Sequence, residues 1–170
     1  TTASHNEWAD AAIARQKEKY PNMELIDVQK VETEDSMEVA YEKAKELLKT
    51  YPNLKGFLGT SSYDAPGAGK AISELGLIGK CFSVGTSVTS CAADQLTEGS
   101  TQAVLCWDPA EAGYAMNVLA QMVLEGKENE IVSGLNLNIP GFESLNVNGK
   151  YLNGNGWIVI TKDNMSEYNF

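Results

Sequence analysis

The sequence is poor in metal-binding side chains and has no long apolar run. One histidine and three cysteines occur among its 170 residues, and the cysteines show no C-x-x-C spacing. A structural zinc site uses about four closely spaced cysteines and histidines, so we expect neither a metal site nor a cofactor. A membrane-spanning helix needs roughly 20 apolar residues in succession, and no stretch approaches that length.

Basic residues are also scarce. Lys and Arg number 13 against 23 Asp and Glu, which gives a formal net charge of −10. Because nucleic-acid affinity comes largely from clustered Lys and Arg, this balance argues against a nucleic-acid partner. The densest acidic cluster is Glu32, Glu34, Asp35 and Glu38. It lacks the spacing of an EF-hand, and we interpret it as the solvated start of a helix.

Catalytic motifs are missing as well. The sequence contains no G-x-S-x-G turn, which would present a serine nucleophile. The segment Gly67–Lys70 hints at a phosphate loop, but Ala71 stands where such a loop needs Ser or Thr, so close helix packing explains the glycines better. His5 is the single histidine, and we expect a structural or ligand-contacting role for it. The sequence therefore predicts that the protein is not an enzyme.

Four β-like runs alternate with helix-like stretches. The runs are Leu25–Val31, Gly56–Thr60, Phe82–Thr86 and Gln102–Trp107. Amphipathic helices are predicted to begin at Ser4 or His5, after Ser36, near Pro66, at Ser90 and at Pro109. This alternation predicts an α/β fold with a doubly wound, mostly parallel sheet.

The two ends of this pattern are irregular. A doubly wound sheet normally begins with a strand, whereas this sequence begins with a helix, so we expect the sheet to be incomplete at its N-terminal strand, which would lie upstream of Thr1. Beyond Leu124, asparagine and glycine crowd residues 134–156, which predicts loops and a hairpin. Trp157–Ile160 is predicted to form a last strand, and Met165–Tyr168 a single helical turn.

The three cysteines are Cys81, Cys91 and Cys106, and we interpret each as a small buried apolar side chain. Cys91 and Cys106 both fall near the carboxyl edge of the predicted sheet. A disulfide between these two is therefore the alternative.

Small polar residues follow three of the predicted strands. These junctions are Thr60–Asp64, Thr86–Thr89 and Cys106–Asp108. In an open parallel sheet, ligands bind outside the carboxyl ends of the strands. We therefore expect the three junctions to line one crevice that binds a small molecule.

Several short segments, taken in order, resemble one family. They are Asn6-Glu7-Trp8, Tyr51-Pro52-Asn53-Leu54-Lys55-Gly56, Ser83-Val84-Gly85-Thr86-Ser87, Cys106-Trp107-Asp108, Gly154-Asn155-Gly156 and Tyr168-Asn169-Phe170. The ordered set is similar to the type I periplasmic sugar-binding proteins of ABC importers, closest to the branch that includes rhamnose and autoinducer-2 receptors. The resemblance spans the whole chain, although no single segment is specific.

Members of that family have two α/β lobes that close on a ligand. The resemblance implies that this chain is the carboxyl-terminal portion only. Residues 1–107 would form part of the second lobe, residues 108–150 would normally pack on the first lobe, and residues 151–170 would form a return strand and a C-terminal tail. The implied partners are a sugar, the membrane permease and the missing N-terminal lobe. The implied location is the periplasmic or extracellular face of the membrane, with or without a lipid anchor.

The resemblance also implies a set of ligand-facing residues: Ser4, His5, Thr60, Ser61, Ser62, Ser87, Trp107 and Asp108. The sequence departs from the family pattern at most of them. Autoinducer-2 receptors of this branch carry Asp-Gln at Ser4-His5 and Pro-Asp-Ala at Thr60–Ser62, and many pentose and hexose binders carry Asp at Ser87. These departures leave the identity of the sugar open.

Each of these residues also has a purely structural interpretation. Sugar recognition needs hydrogen-bonding groups and an aromatic face, which Asp108 and Trp107 offer. Trp107 equally suits a core position at a strand end, and Asp108 before Pro109 suits a helix N-cap. Ser61 and Ser62 equally suit an ordinary strand-to-helix turn.

We therefore expect the solute-binding component of an ABC importer that captures a small sugar or sugar-like furanone between two lobes, this chain supplying one lobe. The alternative is the effector-sensing core of a sugar-responsive transcription repressor, which shares the fold. We also expect the Pro109–Leu124 helix to leave apolar surface uncovered, which a homodimer or a swapped partner would cover.

Overall fold

Five α-helices and six strands make up the part of the chain that a computed structural model describes, residues 2–26 and 30–170. The helices are α1 (Ala3–Lys19), α2 (Met37–Thr50), α3 (Asp64–Glu74), α4 (Thr89–Glu98) and α5 (Pro109–Leu124). The strands are β1 (Gly56–Gly59), β2 (Phe82–Thr86), β3 (Thr101–Trp107), β4 (Asn146–Asn148), β5 (Tyr151–Asn153) and β6 (Trp157–Ile160). Single 3₁₀ turns lie at Glu128–Glu130 and Met165–Glu167.

The main sheet has four strands in the order β1-β2-β3-β6. β1 pairs in parallel with β2, and β2 in parallel with β3. Parallel neighbours need a crossover connection, which α3 supplies between β1 and β2 and α4 supplies between β2 and β3. The predicted α/β fold with a mostly parallel sheet is confirmed.

The sequence pattern predicted most element bounds closely. β2, α5 and β6 occur where they were expected, and β4 and β5 form the expected antiparallel hairpin. β1 ends one residue before its predicted end, and β3 begins one residue before its predicted start. The predicted strand Leu25–Val31 is centred on residues 27–29, which lie outside the described residues.

The glycines that hint at a phosphate loop serve helix packing instead. A Cβ atom on Gly67 would lie 2.7 Å from Ala40 Cβ and 2.9 Å from the carbonyl oxygen of Met37, so α3 touches α2 at this position. A Cβ atom on Gly69 would lie 2.5 Å from Thr101 Oγ1 on β3. Both glycines are inside α3, and larger side chains would push the helix away from its neighbours.

The chain divides into two compact units, the first comprising residues 1–105 and 159–170 and the second residues 106–158. The core of the first unit includes Tyr41, Ala44, Leu48, Ala68, Ala71, Ile72 and Cys81. The core of the second unit joins α5 to the segment that follows it, through Ala115, Leu137, Ile139 and Leu145. As predicted, α5 keeps apolar side chains exposed, with Tyr114, Met116 and Leu124 at 60%, 67% and 88%.

All three cysteines are free thiols, so the disulfide alternative is wrong. Cys81 and Cys106 are buried as predicted, and Cys91 is half-buried. Burial raises the pKa of the Cys81 and Cys106 thiols, because the thiolate loses its hydration. Within residues 2–26 and 30–170, no helix is long and apolar enough to cross a membrane.

Candidate functional site

The junction between β1 and α3, residues Thr60–Tyr63, is organised by one carboxylate. Asp64 Oδ2 accepts hydrogen bonds from the backbone N–H groups of Thr60 and Ser61, each at 2.9 Å. Asp64 Oδ1 accepts a further bond from Ser61 Oγ at 3.1 Å. The carboxylate thus fixes the backbone of the junction directly after the strand ends.

The same carboxylate reaches a residue that is distant in sequence. Thr33 Oγ1 donates a hydrogen bond of 2.6 Å to Asp64 Oδ1, in a half-buried setting. A hydroxyl-to-carboxylate bond of this length is charge-assisted and stronger than a bond between neutral groups. Asp64 therefore ties the junction to the segment that precedes α2.

The junction between β2 and α4 is locked to the first one by Ser87. Its side chain is fully buried, and Ser87 Oγ donates a hydrogen bond of 2.6 Å to the carbonyl oxygen of Ser62. The backbone N–H of Ser87 donates to the carbonyl oxygen of Leu105 on β3 at 3.1 Å. Ser87 therefore connects the β1–α3 junction to β3 at the carboxyl edge of the sheet.

Two glycines allow the junctions to approach each other this closely. A Cβ atom on Gly85 would lie 2.5 Å from the carbonyl oxygen of Gly59, and one on Gly59 would lie 2.4 Å from Asp64 Cβ. Real Cβ atoms do not come this near to other heavy atoms, because the overlap is strongly repulsive. Only glycine fits at either position.

This arrangement divides the hydroxyl groups of the site into two sets. Ser61 is buried, and its hydroxyl and that of Ser87 are engaged within the protein. Thr60 and Ser62 are half-buried, and neither side-chain hydroxyl has a hydrogen-bond partner among the described residues. Hydroxyls of this second set can both donate to and accept from a small polar molecule.

Ser4 and His5 lie in the first turn of α1, which begins at Ala3, one to two residues before the predicted start. Their helical position follows from Thr2, which has extended backbone angles and acts as the N-cap. The His5 ring lies 5.5 Å from the ring of Trp8, one turn along the helix. No hydrogen bond or ring contact joins Ser4 or His5 to the two junctions in the described part of the chain.

Trp107 and Asp108 belong to the second unit. Trp107 is 43% exposed, and its ring packs edge-on against Trp157 at a centroid distance of 5.5 Å. Asp108 is the N-cap of α5, and its Oδ1 accepts a hydrogen bond of 2.8 Å from the N–H of Ala110. The N-cap interpretation of Asp108 is therefore confirmed, and its Oδ2 atom has no hydrogen-bond partner in residues 2–26 and 30–170.

The family of the chain follows from its sequence match. The family model of the periplasmic binding protein domain matches residues 1–128, a range that contains both junctions. The chain belongs to the periplasmic binding protein domain family. In the described part of this periplasmic binding protein domain, no group of histidine, cysteine or acidic side chains is placed to hold a metal ion.

Solved structures share the fold of this periplasmic binding protein domain. A sugar ABC transporter protein from Actinomyces odontolyticus matches 100% of the chain with a TM-score of 0.80 and 20% identity. LsrB from Clostridium saccharobutylicum, in complex with AI-2, matches 97% with a TM-score of 0.71 and 19% identity. A solute-binding protein from Clostridium phytofermentas with bound L-rhamnose matches 96% with a TM-score of 0.70 and 18% identity.

The chain spans about half the length of these structures, since the matches cover 55%, 55% and 54% of them. At such identities the likeness shows the fold alone. No curated protein sequence matches the chain.

Sequence reasoning placed Asp64 in a polar junction of this periplasmic binding protein domain but missed its bonds to that junction, and it missed Thr33 altogether. A signal for Asp64 was present, because an aspartate that follows Thr60-Ser61-Ser62 and opens a helix can accept from their backbone N–H groups. No signal pointed to Thr33, which is 31 residues away from Asp64 along the chain.

Proposed function

We propose that this domain is one lobe of a solute-binding protein that captures a small sugar or a sugar-like furanone for an ABC importer. One observation carries the proposal: the two junctions are held together by the bond from Ser87 to Ser62, and the hydroxyls of Thr60 and Ser62 have no hydrogen-bond partner among the described residues. A largely preformed edge with a few convergent polar groups suits a small polyhydroxy ligand. Membership of the family supports the same class of ligand.

The charge of the junctions favours a neutral ligand over a phosphorylated one. Neither Thr60–Asp64 nor Thr86–Thr89 contains Lys or Arg, and the chain carries a formal net charge of −10. A phosphate group is normally bound by Arg, Lys or free backbone N–H groups. The N–H groups of Thr60 and Ser61 are already donated to Asp64.

The remaining ligand contacts that we propose rest on the sequence resemblance. Trp107 would supply an aromatic face and Asp108 Oδ2 an acceptor, while Ser4 and His5 would contribute from the first turn of α1. The hydroxyls of Ser61 and Ser87 are bonded within the protein and hold the junctions in place. We propose no catalytic step for any of these residues.

The whole protein, as we propose it, is exported, holds the sugar between two lobes and delivers it to a membrane permease. Binding energy in such a protein is shared between the lobes, because closure is driven by contacts made only in the closed form. The domain by itself should therefore bind sugar weakly, with a dissociation constant of about 1 mM or above.

The test is a titration of the ¹⁵N-labelled chain, followed by amide chemical shifts, with L-rhamnose, D-ribose, D-glucose and AI-2. We expect at least one of these to shift the signals of Thr60–Tyr63 and Val88, and glucose 6-phosphate to shift them less than glucose does. Ser62→Ala should weaken the effect, and Ser73→Ala, away from the junctions, should not. The proposal fails if none of the four ligands shifts these signals, or if the phosphorylated sugar binds best.

A further inference from the structure

We propose that Asp64 is a positioning residue for the ligand-binding hydroxyls of the β1–α3 junction and that Thr33 acts on them through Asp64. The inference rests on the proposed function, because it names the residues that prepare that same site. Neither residue needs to touch the sugar.

The bonds of Asp64 point toward the junction and not toward its own helix. Its carboxylate accepts from the N–H groups of Thr60 and Ser61 and from the Ser61 hydroxyl, all of which precede α3. Tyr63, the N-cap of α3, makes no side-chain capping bond. The N–H of Tyr63 donates to Ser61 Oγ at 3.3 Å, so Ser61 serves the start of α3, and among the described residues the Asp64 carboxylate accepts no bond from its own helix.

These bonds decide which hydroxyls face a ligand. Ser61 bonds to the carboxylate and is only 4% exposed, whereas the hydroxyls of the flanking Thr60 and Ser62 have no partner in residues 2–26 and 30–170. The backbone of Thr60 and Ser61 is fixed by two hydrogen bonds to a charged acceptor, which are stronger than bonds to a neutral one. A junction that is already ordered loses less conformational entropy when the sugar binds.

Thr33 connects the Asp64 carboxylate to the start of helix α2. Its hydroxyl holds Asp64 Oδ1, while its carbonyl oxygen accepts a hydrogen bond of 3.0 Å from the N–H of Ser36. Ser36 is the N-cap of α2 and accepts from the N–H of Val39. Asp64 is therefore fixed relative to α2, the helix against which α3 packs at Gly67.

The test compares sugar affinity in four forms of the full chain: unaltered, Thr33→Val, Thr33→Ser and Tyr41→Phe. Thr33→Val removes the hydroxyl at nearly constant shape, and Thr33→Ser restores it. Tyr41→Phe is the control, because it breaks the bond to Glu74 that joins α2 to α3, together with the bond from Lys45 within α2. Dissociation constants are measured by amide-shift titration with L-rhamnose, D-ribose, D-glucose and AI-2, and stability by urea unfolding.

We expect Thr33→Val to weaken affinity about fivefold or more, as for loss of a hydrogen bond to a charged group, and Thr33→Ser to stay within about twofold of the unaltered chain. Tyr41→Phe should lower the urea midpoint and leave affinity within about twofold. The positioning role is overturned if Thr33→Val binds as tightly as the unaltered chain, or if the control weakens binding equally.

Amide hydrogen exchange without sugar gives a second and independent measurement. In the unaltered chain the amides of Thr60 and Ser61 should be protected, and in Asp64→Ala their protection relative to the β2 amides should fall about tenfold or more. Unchanged relative protection in both Asp64→Ala and Thr33→Val overturns the inference. If none of the ligands binds the unaltered chain, the proposed function fails, whereas the exchange rates still decide whether Asp64 orders the junction.

Discussion

The hydroxyl of Ser87 donates a hydrogen bond of 2.6 Å to the carbonyl oxygen of Ser62 and thereby joins two strand-to-helix junctions that are 25 residues apart in the sequence. The Ser87 side chain is fully buried, so its hydroxyl depends on partners within the protein. The two junctions consequently behave as one preformed surface.

Ser87→Ala should destabilise the first unit. It removes a buried donor and leaves the Ser62 carbonyl oxygen without that partner, for which we expect a loss of about 1 to 2 kcal/mol in the free energy of unfolding. Thr97→Ala is the matched control, because its hydroxyl bonds to Ala93 on the exposed face of α4. Urea unfolding measures both, and equal midpoints for the two variants would contradict a bridging role for Ser87.

Gly85→Ala and Gly113→Ala should have opposite effects on stability. A Cβ atom on Gly85 would meet the Gly59 backbone at 2.5 Å, whereas one on Gly113, within α5, meets nothing within 4 Å. We expect Gly85→Ala to lose about 3 kcal/mol or to misfold, and Gly113→Ala to gain about 0.5 to 1 kcal/mol. Thermal unfolding checks both signs. A stable Gly85→Ala variant would show that β1 and β2 are less closely spaced than described.

Asp108→Ala should weaken α5, whereas Asp108→Asn should not. Asn caps a helix about as well as Asp, while loss of the cap costs about 1 kcal/mol. The relevant bond is that from the Ala110 N–H to Asp108 Oδ1. The measurement is the urea dependence of the helical circular dichroism signal. A large loss in the Asn variant would show that the negative charge, and not the cap, stabilises this helix end.

Trp107 should report on sugar binding through its fluorescence. If its exposed ring contacts the ligand, Trp107→Ala should weaken affinity about tenfold or more, and Trp107→Phe should retain most of it, because an aromatic face remains. Trp157→Phe controls for the edge-on packing of the two rings. An unchanged titration curve for Trp107→Ala would remove this residue from the proposed site.

Acid stability should depend on Glu74. The hydrogen bond from Tyr41, followed by that from Lys45, holds the pKa of the Glu74 carboxyl below its usual value. A lowered pKa in the folded state stabilises the protein fully above the unfolded value, about 4.3, and this contribution is lost as the pH falls through the folded-state pKa. Urea midpoints measured between pH 6 and pH 2.5 should therefore fall less steeply in Glu74→Gln than in the unaltered chain.

The surface ion pair between Lys43 and Glu46 provides the control for this pH dependence. Exposed pairs contribute little to stability. Glu46→Gln should therefore leave the slope of the urea midpoint against pH nearly unchanged. A slope that changes equally in both variants would show that general surface charge, and not the contacts of Glu74, sets the acid stability.

Local sequence signals were sufficient to predict the positions of most helices and strands. Pro109 after Asp108 predicted both the start of α5 and its cap, and the alternation of apolar runs with amphipathic stretches predicted the parallel sheet. These features depend on residues within a few positions of one another. The predicted start of α1 at Ser4 or His5 was one to two residues late, because Thr2 provides the extended N-cap residue and the helix begins at Ala3.

The sequence by itself determined the order of the helices and strands and the three polar junctions. It also determined the absence of motifs for metal or phosphate binding and the family resemblance. Each of these depends on patterns among residues that are close together in the chain. Only the tertiary structure decided which hydroxyls are engaged. Ser87 reaches Ser62 and Thr33 reaches Asp64 only after parallel strands and helices have brought distant segments together. A hydrogen bond between residues so far apart leaves no periodic signal in the chain. The fold therefore decides which hydroxyls of the junctions are bonded within the protein.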